Sequence, residues 1–207
     1  MNAIHKFEKL VLALVLGLIA PVLGLLGFWW GSFTLLAERW IPYATLGGLL
    51  LGLLVDLFVL KDAVRRAHQL DLRLWIAIYL FYSAGIYGFV MGVPVPNAFL
   101  ALPAGFIIGG RLAAQEADDA RVRAMARGTA WFTTGVLALI CAASALLALA
   151  SPSTAYDLKG MFGLGFDVTQ GMIVALILVG GAALLAFGWA LTVVSVRFSY
   201  TFLQRKE

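Results

Sequence analysis

The chain has 207 residues, of which 62% are hydrophobic and 13% charged, with a formal charge of +4. A soluble domain holds about 45–50% apolar and about 25% charged residues, so this composition excludes a single soluble core and marks an integral membrane protein. The basic excess is read as belonging to the bilayer rather than to nucleic acid, because Lys and Arg sort by side of the membrane.

Lys6 and Lys9 precede a charge-free run over 10–37. It is too long for a signal h-region, and no small-x-small cleavage site closes a shorter stretch, so a retained helix over about 10–31 is expected. Residues 40–60 are interrupted only by Asp56 and predict a second span over about 43–61.

The run between Arg73 and Arg111 holds 37 residues. As one helix it would reach about 55 Å, well beyond a hydrocarbon core of about 30 Å. Val93-Pro94-Val95-Pro96-Asn97 divides it, because each proline lacks an amide donor and disfavours helix in the residue before it. Two spans follow, about 74–92 and 98–114, with Pro103 expected to kink the second and Arg111 to snorkel to the headgroups. Residues 114–128 are rich in alanine and free of proline, and Asp119 stands four residues before Arg123 in the favourable order. The fourth span is therefore expected to continue as helix and turn back near Gly128. Glu116, Asp118 and Asp119 read as a solvated helix face rather than a metal site. Spans over about 129–150 and 170–196 complete the chain. The intervening loop is expected to lie on the membrane surface or cap the bundle, since it carries Met161, Phe162 and Phe166.

The bases orient the spans. Lys6, Lys9, Lys61, Arg65, Arg66, Arg73, Arg111, Arg121, Arg123, Arg127, Arg197, Arg205 and Lys206 fall on one side when six spans are drawn, which is 13 of the 15. Arg39 and Lys159 remain outside. Making 98–110 re-entrant destroys this bias, so the expectation is an all-α polytopic bundle of six spans, both termini cytoplasmic, forming one integral membrane domain over 1–207. Trp29, Trp30, Trp40 and Tyr43 at one end, and Trp75 and Trp131 at the other, suit interfacial belts, whereas Trp189 falls inside the last span. A multi-pass cell-membrane protein, in a bacterial inner membrane, is the expected setting.

The candidate site residues follow from cost. Asp56 is the one acid inside an apolar run, and an intramembrane carboxylate is expensive unless paired or used. It is either a coupling site or one half of a structural ion pair, with Arg111 or Arg197 as the other half. Tyr79, Ser83 and Tyr87 repeat every four residues and place three polar tips on one helix face. Asn97 either caps the fourth helix or offers its amide to a ligand beside the proline turn. Small residues repeat at the same spacing at Gly27/Gly31, Gly48/Gly52, Ala84/Gly88/Gly92 and Gly105/Gly109, a pattern for close helix packing or for a homo-oligomer face.

No cofactor and no metal are expected. His5 and His68 stand near the inner surface, Cys141 is alone, and no catalytic motif is present, so an enzyme is disfavoured. The expected function is a small permease or ligand-binding membrane subunit; the alternative is a non-transporting structural or assembly subunit. The expected partners are the lipid bilayer and either another membrane protein or a second copy through the glycine-rich faces, with no nucleic acid.

Overall fold

The computed structural model describes residues 3–163 and 165–204, without the side chains of residues 3–5, His68, Met161 and Phe162. Arg205 and Lys206, and the side chains of His5, His68, Met161 and Phe162, therefore lie outside the described residues. Every element found among the described residues is helical. Six helical stretches are long and apolar enough to cross a membrane: Lys6–Leu35, Glu38–Arg66, Leu72–Phe89, Val95–Ala114, Asp119–Ala150 and Gln170–Gln204. The chain divides into two compact units, Met1–Leu70 and Asp71–Glu207.

In the first unit, α1 (Ala3–Gly17) passes into α2 (Ile19–Leu35) with a break at Leu18. Pro21 is the cause: it has no amide to give the Gly17 carbonyl, and its ring crowds that carbonyl. The expected span over about 10–31 is thus one helical stretch with a local break at Leu18. After a short turn at Glu38–Trp40, α3 (Ile41–Arg66) begins with Pro42 near its start, where the missing amide costs nothing. α2 and α3 run antiparallel and touch backbone to backbone. A Cβ on Gly24 would strike the Gly48 carbonyl, and one on Gly52 would strike Ala20 and Pro21. Of the predicted small-residue pairs, Gly48/Gly52 therefore packs within the chain, while Gly27 and Gly31 face open space.

The second unit contains α4 (Leu72–Phe89), the single turn α5 (Val95–Ala98), α6 (Ala101–Ala114), α7 (Asp119–Ala150), α8 (Thr154–Phe162), α9 (Gln170–Ala175) and α10 (Gly181–Gln204). A π turn at Leu176–Gly180 joins α9 to α10 and interrupts the last expected span. α10 lies parallel to α6. Ser195 donates to the Leu102 carbonyl at 2.7 Å, and Ser199 to the Phe106 carbonyl at 2.8 Å. Gly105 and Gly109 permit this approach, since a Cβ on Gly105 would sit 2.6 Å from the Ser195 Cβ, and one on Gly109 2.8 Å from the Ser199 Cβ. α10 lies antiparallel to α7: the buried Thr133 and Thr192 hydroxyls are 2.8 Å apart, while further along α7 a Cβ on the earlier Gly188 would sit 3.0 Å from Leu137. The Trp131 and Trp189 rings meet edge to face at 4.7 Å. Trp189, which fitted no belt in the sequence, thus has a packing partner.

Three local expectations are corrected. The chain turns at 115–118, not near Gly128. Glu116 adopts a positive φ of 48°, the Asp118 side chain accepts from the Arg121 amide at 2.8 Å and caps α7, and the Tyr200 hydroxyl donates to the Ala117 carbonyl. Asp118 thus acts as a helix cap, and alanine's helix propensity is expressed after the turn, in the first turns of α7, rather than through it. Pro103 is the third residue of α6, so it stands in the first turn, where prolines are tolerated, and does not kink a helix interior. Asn97 does not cap α6. It lies within α5, and α6 starts four residues later after Leu100, which makes no side-chain cap.

The 151–169 loop carries α8 and an exposed ion pair between Lys159 and Asp167 at 2.6 Å. The hydrogen bond and charge of Lys159 hold the Asp167 carboxyl below the usual carboxylate range.

Candidate functional site: a polar stripe on α4

α4 opens with Asp71, whose side chain accepts from the Arg73 amide at 3.0 Å. It closes where the Gly92 amide returns to the Tyr87 carbonyl at 2.9 Å, with Gly92 at φ 84°. Only a residue without a Cβ takes that left-handed cap easily. Between these ends, Trp75, Tyr79, Ser83 and Tyr87 recur every fourth residue. Four residues turn a helix by about 400°, so the four positions wind through about 120° and form one stripe.

Two contacts set this helix against α7. The Tyr79 ring meets Phe132 at 5.4 Å, and Ser144 donates to the Gly92 carbonyl at 2.5 Å. The intervals 79–92 and 132–144 are nearly equal, so α4 and α7 run parallel and in step. Ser83 and Tyr87 fall at the levels of about residues 136 and 140 of α7, and Thr134 lies about 3 Å beyond Phe132. At the far end the Tyr87 hydroxyl stands beside Gly92, where an added Cβ would be 3.6 Å from it. α5, which carries Asn97, packs against both α4 and α10.

The stripe is short of hydrogen bonds. Among the described residues, the Trp75 indole N–H, the Ser83 hydroxyl, the Tyr87 hydroxyl, both amide atoms of Asn97 and the Thr134 hydroxyl are buried with no hydrogen-bond partner. Ser83 is 3% exposed and Asn97 2%. The Tyr79 hydroxyl approaches Ser83 from one turn away without forming a well-shaped bond. Each such group costs about 1–3 kcal/mol when left unsatisfied, and most buried polar groups in folded proteins are satisfied. Trp75, Ser83 and Tyr87 share one face of α4, with Asn97 on α5 and Thr134 on α7, and such a set is therefore a feature to explain. The chemistry available on the stripe is that of neutral donors and acceptors, and no group of three His, Cys, Asp or Glu side chains gathers among the described residues.

The other candidates lie elsewhere. Asp56 belongs to the first unit, on α3, where its carboxylate and the Leu60 side chain face Gly17 at the end of α1. Arg111, in the last turn of α6, lines a small cleft together with Arg121. Arg197 is exposed on α10. Of the predicted ligand residues, Tyr79, Ser83 and Tyr87 share the stripe, and Asn97 sits on the short element that follows it. Trp75, Thr134 and Ser144 were not foreseen. Trp75 was within reach, because it extends the four-residue repeat by one step. Thr134 and Ser144 carried no comparable signal, since a threonine or serine on an apolar helix usually bonds its own backbone.

The chain matches no protein-family model, no curated protein and no solved structure.

Proposed function

We propose that this protein is a small permease or ligand-binding membrane subunit, inserted as six spans with both termini on the cytoplasmic side. The observation that carries this reading is the row of buried, unpartnered neutral polar atoms at Ser83, Tyr87 and Asn97. Uncharged groups that both donate and accept match a small uncharged ligand with hydroxyl or amide groups, held by few hydrogen bonds in an apolar surround. Asp56 is the proposed coupling carboxylate, since an intramembrane acid is costly to keep without a role.

Insertion is supported by apolar faces that water would not tolerate. Leu57 is 80% exposed, Phe58 77% and Phe89 90%. Large apolar side chains so exposed in each unit mark a partner or a lipid surface. Orientation is supported by charge in the second unit. Arg73 opens α4 and Arg121, Arg123 and Arg127 lie in the first turns of the parallel α7, whereas Lys159 is the one base of the opposite loops among the described residues. Such a bias faces the cytoplasm. A cysteine introduced at Gln115 in a Cys141→Ser background is expected to resist impermeant thiol reagents in intact cells and to label after permeabilisation. Labelling in intact cells would overturn the six-span orientation.

The ligand test is native mass spectrometry of protein released from its own membranes in lipid nanodiscs. The wild type is expected to carry a discrete small-molecule mass that Tyr87→Phe and Asn97→Leu reduce at least about tenfold, as the loss of one or two buried hydrogen bonds implies. Asp56→Asn is expected to remove transport while leaving this bound mass in place.

A second reading, an assembly subunit, is favoured by Gly27, Gly31, Gly85 and Gly88, whose Cα positions face open space. Small residues so exposed suit a second helix. A stoichiometric partner protein without a small-molecule mass would establish that reading instead.

A further inference from the structure

The polar stripe and Asn97 do not account for the end of the second unit where α6 turns into α7. There a cleft of about 120 Å³ is lined by Leu72, Ile108, Arg111, Leu112, Gln115, Arg121 and Met125. Its two guanidinium groups come from different helices, Arg111 from the last turn of α6 and Arg121 from the first turn of α7. The turn between them is held firmly. The Ala117 amide reaches the Leu112 carbonyl at 3.1 Å, Tyr200 bonds the Ala117 carbonyl, and Ile108, Leu112, Ala117, Val122, Ala126, Val196 and Tyr200 form one buried cluster beneath it. Arg121 is aimed by its own bond to the Gln115 side-chain oxygen at 3.1 Å. Asp118, the cap of the same helix, accepts from the Arg121 amide at 2.8 Å.

We infer that this cleft binds the phosphate of an anionic phospholipid headgroup on the cytoplasmic leaflet, an inference that rests on the proposed insertion and orientation. Two planar guanidinium forks on separate helices suit the oxygens of one phosphate. The apolar lining, Leu72, Ile108, Leu112 and Met125, suits the first methylenes of the acyl chains rather than a fully hydrated anion. The guanidinium groups stand where the apolar run of α6 ends, which is the depth of a headgroup. Basic pockets between helices on the cytoplasmic side take such lipids.

The test places the full-length protein in nanodiscs of phosphatidylcholine with one-tenth phosphatidylglycerol and counts retained lipids by native mass spectrometry after transfer to detergent. The wild type is expected to keep phosphatidylglycerol selectively. R111Q/R121Q is expected to lose it about tenfold or more. R123Q/R127Q, with the same change of charge on exposed residues of α7, is expected to retain it. Equal retention of the two lipids by the wild type, or an unchanged phosphatidylglycerol adduct in R111Q/R121Q, would overturn the inference. Thermal protection by inorganic phosphate alone, lost in R111Q/R121Q, would overturn the lipid as the source and assign the cleft to a soluble phosphate. Protein that fails to enter nanodiscs would refute the membrane reading itself, a result distinct from loss of lipid selectivity.

Discussion

Gly48→Ala is expected to separate α2 from α3 and destabilise the first unit by about 3 kcal/mol, the upper end of overpacking costs. The added methyl would come 2.7 Å from the Phe28 Cβ and closer still to the Gly24 carbonyl oxygen. A flexible side chain can rotate away from such an intrusion, but a backbone carbonyl cannot. The helices must therefore move apart along the whole Gly24–Gly48–Gly52 seam, and the dispersion contacts that hold apolar helices together fall with them. Gly27→Ala and Gly31→Ala carry the opposite expectation. Their methyls meet nothing, and alanine favours helix over glycine by about 1 kcal/mol. Thermal unfolding in detergent separates the two cases. Similar midpoints for Gly48→Ala and Gly31→Ala would show that the seam does not hold the hairpin. A Gly31→Ala protein that loses a homo-oligomer without losing stability would place a second copy on the open face.

The long elements were legible because their cause is compositional. Runs of twenty or more uncharged apolar residues do not depend on tertiary detail, and all six candidate spans appear as helices in the structure. The punctuation was less legible. The proline pair at Pro94 and Pro96 announced a break, whereas Pro21 ends α1 by the same physics with no second proline or polar residue beside it to mark the place. The turn at 115–118 was hidden because nothing local forbids helix through Gln115–Ala117. Its stabilisers are Asp118 as a cap and Tyr200, more than eighty residues away. Asn97 misled in the same manner. An asparagine after a proline turn reads as a cap, but α6 begins beyond it, and its side chain is left buried instead. The small-residue repeats were readable as packing motifs, though which of them met a partner depended on helix rotation, a property that spacing alone does not carry.

Asn97→Leu and Thr133→Val are expected to change stability in opposite directions, and the contrast tests what the polar stripe is for. Both residues are buried and polar, and both replacements are apolar and of similar size. Thr133 has a partner: its hydroxyl lies 2.8 Å from that of Thr192, which also reaches the Gly188 carbonyl at 2.9 Å. Removing it breaks a satisfied contact between α7 and α10 and costs about 1 kcal/mol, a typical net value for one hydrogen bond. Asn97 has none. Its amide forgoes the hydrogen bonds water would give it and receives no compensation from the protein. Leucine removes that penalty, so the ligand-free protein is expected to gain about 1–3 kcal/mol in stability. A residue kept against such a gain is characteristic of a binding site, where stability and function pull apart. The paired measurement is therefore unfolding with ligand stripped away, followed by ligand retention. A more stable Asn97→Leu protein that no longer holds the small-molecule mass supports a recognition role. A less stable one would show that the Asn97 amide is satisfied within the protein after all, and that the stripe is packing rather than a site.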